Sequence, residues 1–153
     1  MEDLTPIGCA PNLRRLVLSN TDTMDLVPLS GLRRLEELWL DYTRVSDLNP
    51  ISSLTSLTEL VLRGTPVRDI LPLLELTRLR RLGLARTLVS DIEPLETLTE
   101  LEHLDLYLTK VIDLLPLSGL ARLREFDVTG LGIADKQLAW LREKLPQCTI
   151  YND

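Results

Sequence analysis

His103 stands two residues before Asp105, and Glu125 and Asp127 follow each of them after 22 residues. An imidazole beside carboxylates is the raw material of general acid–base chemistry or of a metal site. A triad also needs a Ser or Cys nucleophile beside the histidine, and the pattern around His103 supplies none. A metal site needs converging ligands, and the expectation here is surface polar residues holding no metal. The seven glycines are scattered, so no phosphate-binding loop is expected. Six aspartates, Asp25, Asp47, Asp69, Asp91, Asp113 and Asp135, look catalytic on counting alone. Their recurrence every 22 residues marks them as structural. With no converging nucleophile, base and oxyanion donor, the sequence predicts no enzyme and no cofactor.

The same period runs through the elements that must position these residues. One row reads Leu13, Leu35, Leu57, Leu79, Leu101, Leu123, Leu145. A second reads Leu16, Leu38, Leu60, Leu82, Leu104, Phe126, Cys148, and a third Leu18, Leu40, Leu62, Leu84, Leu106, Val128, Ile150. Two leucines spaced by one residue face the same side of a short strand. A polar row follows, Thr21, Thr43, Thr65, Thr87 and Thr109. Its hydroxyls are expected to bond the backbone of neighbouring turns. Each Asp of the Asp row precedes Leu or Ile, a variable residue and Pro, except Asp135. It reads as an N-cap of a short 3₁₀-like turn, where Pro is tolerated because first-turn N–H groups lack partners.

The pattern LxxLxLxxT-x-V-x-D-[LI]-x-P-[LI]-xx-L resembles the bacterial leucine-rich repeat with 22-residue turns, and is similar to the repeats of internalins. The resemblance covers nearly all of the chain. It departs at the Thr row, where internalin-type repeats usually carry Asn. It implies an α/β repeat fold: a right-handed leucine-rich repeat solenoid with a parallel concave sheet of about seven short strands, convex 3₁₀ turns and a C-terminal helical cap. The expected organisation is one repeat domain over 1–153, with 1–12 a partial first repeat, 13–119 regular repeats, and 120–153 the last repeat and cap.

Hydrophobic residues make up 44% of the chain and aromatics only 4%, as a stack of aliphatic rows requires. The net charge of −6 argues against nucleic acid as the main partner. No window is long and apolar enough for a membrane span, and no apolar signal segment is visible at the N-terminus. Internalins are exported, so the absence of that segment points to a cytoplasmic bacterial protein, whole or excised from a longer one. Cys148 falls on an inward row and Cys9 on a convex position, too far apart to pair; both are expected as free thiols.

Asp3 to Ile7 already match the second half of a repeat, with Ala10 in a row otherwise held by Leu. An open solenoid end exposes apolar core. The first turn therefore belongs to a longer chain, is sealed by its short leader, or pairs with another molecule. At the other end, Asp135 to Leu145 reads as an amphipathic helix capped by Asp135 and ended before Pro146. Trp140 is expected to cover the core. Along the strands, Arg14–Glu36, Arg15–Glu37, Glu59–Arg81, Arg80–Glu102 and Glu102–Arg124 are neighbours at ion-pairing spacing.

The positions between the inward leucines are free to vary. One outward row reads Val17, Trp39, Val61, Gly83, Asp105, Asp127; the next reads Ser19, Asp41, Arg63, Ala85, Tyr107, Thr129. Gly83 and Ala85 are expected to leave a notch flanked by Arg63, Arg81 and Arg86. Trp39, Asp41, Tyr42 and Val61 lie to one side, and His103, Asp105, Tyr107 and Asp127 to the other. Trp, Tyr and Arg are enriched where partners bind. The sequence therefore predicts a protein–protein interaction scaffold that binds a protein or peptide on this face. The alternative is that these residues decorate an assembly unit that self-associates through its N-terminal end, with Trp39 covering Val17 and Val61. Leu88, Leu108, Ile112 and Leu115 form a second, apolar candidate surface.

Overall fold

The structure, a computed structural model, describes residues 4–152; Asp3, the expected first member of the Asp row, lies outside them. Seven three-residue strands form one parallel sheet in chain order: β1 Arg15–Val17, β2 Glu37–Trp39, β3 Glu59–Val61, β4 Arg81–Gly83, β5 His103–Asp105, β6 Glu125–Asp127 and β7 Thr149–Tyr151. From β1 to β6 the register equals the sequence period, pairing Leu16 with Leu38, Leu38 with Leu60, Leu60 with Leu82, Leu82 with Leu104 and Leu104 with Phe126. Opposite the sheet run five short 3₁₀ turns: Val27–Leu29, Asn49–Ile51, Leu71–Leu73, Glu93–Thr97 and Leu115–Gly119. A solenoid is the consequence. No single turn can bury its own apolar side, so each uses its neighbours. Leu38, Leu40, Leu60, Leu62 and Phe126 are fully buried in the continuous core between sheet and turns. Each fully buried Leu contributes about 1.5–3 kcal/mol.

The Asp row does its expected work with one change of position. Asp25 Oδ1 accepts the N–H of Val27 at 2.8 Å, and Asp47, Asp69, Asp91 and Asp113 accept the N–H two residues on at 2.8–2.9 Å. These are Asx turns. The residue at the cap itself is apolar, as with Leu26 and Ile70. Asp135 departs from the row. It is the first residue of the helix α2 (Asp135–Lys144), and Ala134 stands at its N-cap with no side-chain cap bond. Trp140 is partly buried against the core, as expected.

The Thr row corrects the expected ladder. Thr43, Thr65 and Thr87 each donate at 2.7 Å to the carbonyl three residues earlier in their own turn, not to a neighbouring one. Thr21 does the same with Leu18, and Thr109 Oγ1 is buried without a partner. The bonds between turns are made by backbone, Arg44 N–H to Thr23 O, Leu88 N–H to Val67 O and Lys110 N–H to Val89 O, at 2.8–2.9 Å. In this row the hydroxyl closes the bend within its own turn, whereas elsewhere Thr58 Oγ1 donates across turns to Glu36 O at 3.1 Å and Thr97 Oγ1 to Leu74 O at 2.9 Å.

The last turn breaks the period. Phe126 pairs with Ile150 and Asp127 with Tyr151, an offset of 24, not 22. The ten-residue α2 replaces a 3₁₀ turn and uses more chain. Ile150 thus takes the place expected for Cys148, and Cys148 is only partly buried.

The first turn is better sealed than the sequence suggests. The short helix α1 (Thr5–Gly8) packs on the Val27–Leu29 turn. A Cβ at Gly8 would lie 2.5 Å from Pro28 O, so only glycine allows the approach. Leu16 and Leu18 are left 9% and 7% exposed. Ion pairs join Arg14 to Glu36, Arg15 to Glu37 (3.1 Å) and Arg81 to Glu59 (3.8 Å). Among the described residues none joins Glu102 to Arg80 or Arg124; Glu100 pairs with Arg122 instead. In each pair the arginine is exposed and the glutamate half-buried, and each is worth about 0–1 kcal/mol.

Candidate interaction site on the concave sheet

Strands three residues long present one side chain inward and two outward. In the row nearest the end of each strand, register aligns Val17, Trp39, Val61, Gly83, Asp105, Asp127 and Tyr151. Around Gly83 this row opens into a concavity of about 460 Å³. Trp39, Asp41, Val61, Arg81, His103, Asp105 and Asp127, all expected there, line it, and so do Glu59, Glu125 and Tyr151.

Four expected residues do not line it: Tyr42, Arg63, Arg86 and Tyr107. The bend after each strand explains this for Tyr42 and Arg86. Asn20, Tyr42, Gly64, Arg86, Leu108 and Gly130 all have positive φ, between 53° and 79°. This left-handed residue lets the N–H of Tyr42 reach Arg63 O and that of Arg86 reach Tyr107 O, both at 2.7 Å. Its side chain is carried away from the strand face. The Tyr42 ring lies against Gly64, where an added Cβ would be 2.6 Å from Cδ1, and Arg86 covers the Tyr107 ring at 5.4 Å. Ala85 is fully buried, so the notch is at Gly83 alone.

Trp39 forms one wall. Arg15 lies over its ring at 4.5 Å and is itself held by Glu37. The indole N–H is buried without a hydrogen-bond partner, as is Arg63 Nε. Gly83 forms the floor; a Cβ there would stand 2.9 Å from Val61 Cγ1. The other wall is acidic. Asp105 Oδ1 accepts the N–H of Tyr107 at 2.9 Å, and Asp127 Oδ1 that of Thr129 at 2.8 Å. Burial raises the Asp105 carboxyl above its ordinary range; the Tyr107 N–H and Arg63 oppose this, and Asp127 adds to it. His103 Nδ1 lies 3.0 Å from Glu125 Oε2.

The lining has no Ser, Thr or Cys. The only hydroxyl in the lining is the phenol of Tyr151, so His103 and Glu125 have no Ser, Thr or Cys nucleophile beside them there. Among the described residues no group of three or more His, Cys, Asp and Glu is placed to hold a metal. No helix among them is long and apolar enough to cross a membrane. The lining carries five carboxylates, Asp41, Glu59, Asp105, Glu125 and Asp127, against one guanidinium, Arg81, and the imidazole of His103.

Tyr151 was hidden by the register. A period of 22 sets it beside Thr129, and only the longer last turn brings it beside Asp127. Away from the concavity, Leu108, Ile112 and Leu115 are exposed (42%, 78% and 57%), while Leu88 is half-buried.

A family model for leucine-rich repeats in two copies matches residues 11–53 and 33–75. No curated protein matches the chain. Among solved structures, an internalin (inlF) from Listeria monocytogenes is 26% identical with a TM-score of 0.93, over 100% of this chain and 44% of that one. An internalin C2 from the same organism is 28% identical with a TM-score of 0.85, over 91% of this chain and 61% of that one. A leucine-rich repeat protein of Leptospira interrogans shares the fold at 20% identity and a TM-score of 0.73, over 95% of this chain and 44% of its own. The chain thus spans less than two thirds of the length of each.

Proposed function

From the premise that this chain is an internalin-like leucine-rich repeat protein, we propose that it is a non-enzymatic bacterial scaffold binding a protein or peptide partner on its concave face. Solenoids of stacked repeats use such extended concave surfaces for binding. The observation that carries the reading is the concavity over Gly83, walled by Trp39 on one side and by Asp105 and Asp127 on the other. An aromatic that is half in the surface, beside a floor without a side chain, is the arrangement in which an inserted partner group loses most water. A cytoplasmic location belongs to the same proposal and draws on the two free thiols, Cys9 and Cys148.

Self-association through the N-terminal end is the second reading. The strand β1 at the end of the sheet favours it, since among the described residues no strand pairs with its outer side. The cover over Leu16 and Leu18 weighs against it.

The test uses a partner trapped by cross-linking in cells and then purified. Filling the notch by Gly83→Leu, and separately Trp39→Ala, should each weaken the binary complex about tenfold or more. Ile112→Glu on the far surface should leave it unchanged. Binding that survives the notch variants and fails with Ile112→Glu would move the site to the apolar lateral surface.

A further inference from the structure

The chemistry of the row also states what kind of partner it suits; this inference rests on the concave-face reading above. Trp39, Val61, Gly83, Asp105 and Asp127 lie in unbroken register across five strands. At about 4.8 Å per strand, the row is apolar over its first ~10 Å and acidic over its last ~5 Å. Asp105 and Asp127 are direct cross-strand neighbours of like charge, which is unfavourable unless a cation sits between them. Among the described residues no ion pair reaches either of them. Each has one oxygen fixed by a backbone N–H, which orients the carboxylate beforehand and leaves the other oxygen available. Burial, with Asp127 adding to it, keeps the Asp105 carboxyl raised although the Tyr107 N–H and Arg63 oppose this.

We propose that the concave row seats an extended basic segment of a partner protein, with a lysine or arginine head group between Asp105 and Asp127 and an apolar side chain over Gly83 and Val61 against Trp39. A peptide supplies both groups that the row lacks: a cation and an apolar side chain. The excess of carboxylates around the concavity attracts such a segment before contact.

The experiment selects peptides from a random short-peptide library displayed against the whole chain. Selected peptides should carry Lys or Arg beside an apolar residue. Their affinity should fall about tenfold or more on Asp105→Asn with Asp127→Asn, and similarly when the peptide's arginine becomes citrulline. Asn keeps the oxygen that accepts the N–H of Tyr107 or Thr129, so the fold is preserved, and the citrulline peptide leaves the protein untouched. Selected peptides without basic residues, or affinity indifferent to both changes, would overturn the inference. If such peptides are nevertheless lost on Gly83→Leu, the concave-face reading stands while the basic segment falls. If basic peptides bind indifferently to Gly83→Leu, both fall. Competition by spermine as strong as by the peptide, with the apolar residue dispensable, assigns the row to a free organic cation and also overturns the proposal.

Discussion

Asp105 and Asp127 are register partners on β5 and β6, and each turns one carboxylate oxygen onto the backbone N–H two residues on. Two like charges are thereby held side by side on a face that is otherwise open. Such a pair contributes to stability through its backbone bonds and opposes it through burial and repulsion.

Those opposing effects give the first prediction. The Asp105 carboxyl is raised in the folded state, chiefly by burial. The folded chain therefore binds more protons than the unfolded one between the ordinary value of 3.8 and the raised one. Stability attributable to Asp105 falls as pH rises through that window. Asp105→Asn should melt higher than the parent at neutral pH, and the difference should vanish below the ordinary carboxylate range. Thermal melts across an acidic-to-neutral series read this directly; a variant that melts lower at neutral pH contradicts it.

Thr43 and Thr109 occupy the same row with different partners. The Thr43 hydroxyl bonds Leu40 O, and that of Thr109 is buried alone. Thr43→Val should cost about 0.5–1.5 kcal/mol, whereas Thr109→Val should be neutral or stabilising. Urea unfolding of the two variants tests the contrast, and equal losses would refute it.

The bend row predicts effects of opposite sign. Leu108 holds a φ of 53°, which an L side chain adopts at a cost of about 1–2 kcal/mol. Leu108→Gly should recover part of that. Gly64 has a φ of 70° with the Tyr42 ring against it, so Gly64→Ala should destabilise by more than about 1 kcal/mol. Unfolding midpoints moving in the same direction would contradict this.

The two thiols should react at different rates. Burial, with Glu125 adding to it, pushes the Cys148 thiol up to about 11, while Cys9 is exposed. The thiolate is the nucleophile. Iodoacetamide at mildly alkaline pH should label Cys9 well before Cys148, as followed by peptide mass; the reverse order would be incompatible with this packing.

Most of the fold was legible because one signal, a period of 22, was repeated until chance was excluded. Leu38, Leu60 and Leu82 could each be assigned to the core from the row alone, and so could the register of β1 to β6. What the row could not carry was direction. Tyr42 and Arg86 sit one residue past the outward positions, and a left-handed φ takes them off the face. A Thr hydroxyl can bond across turns, as that of Thr58 does, but in the Thr row the left-handed bend brings a carbonyl of the same turn to it first. The period also fails where α2 replaces a 3₁₀ turn, and there it displaced Cys148 and hid Tyr151. The concavity itself was legible through Gly83, since a strand position without a side chain leaves space whatever its neighbours do. The acidic wall was visible as residues, but not the backbone bonds that fix it.

The most direct test of concave-face binding is hydrogen exchange on the whole chain, alone and saturated with the purified partner. Binding on the concave sheet should slow exchange at the amides of β3 to β6 and of the Tyr107 and Thr129 bends, and leave the convex turns and α1 unchanged. Protection confined to α1 and β1, or to the surface around Ile112 and Leu115, with β3 to β6 exchanging as in the free chain, would contradict the account.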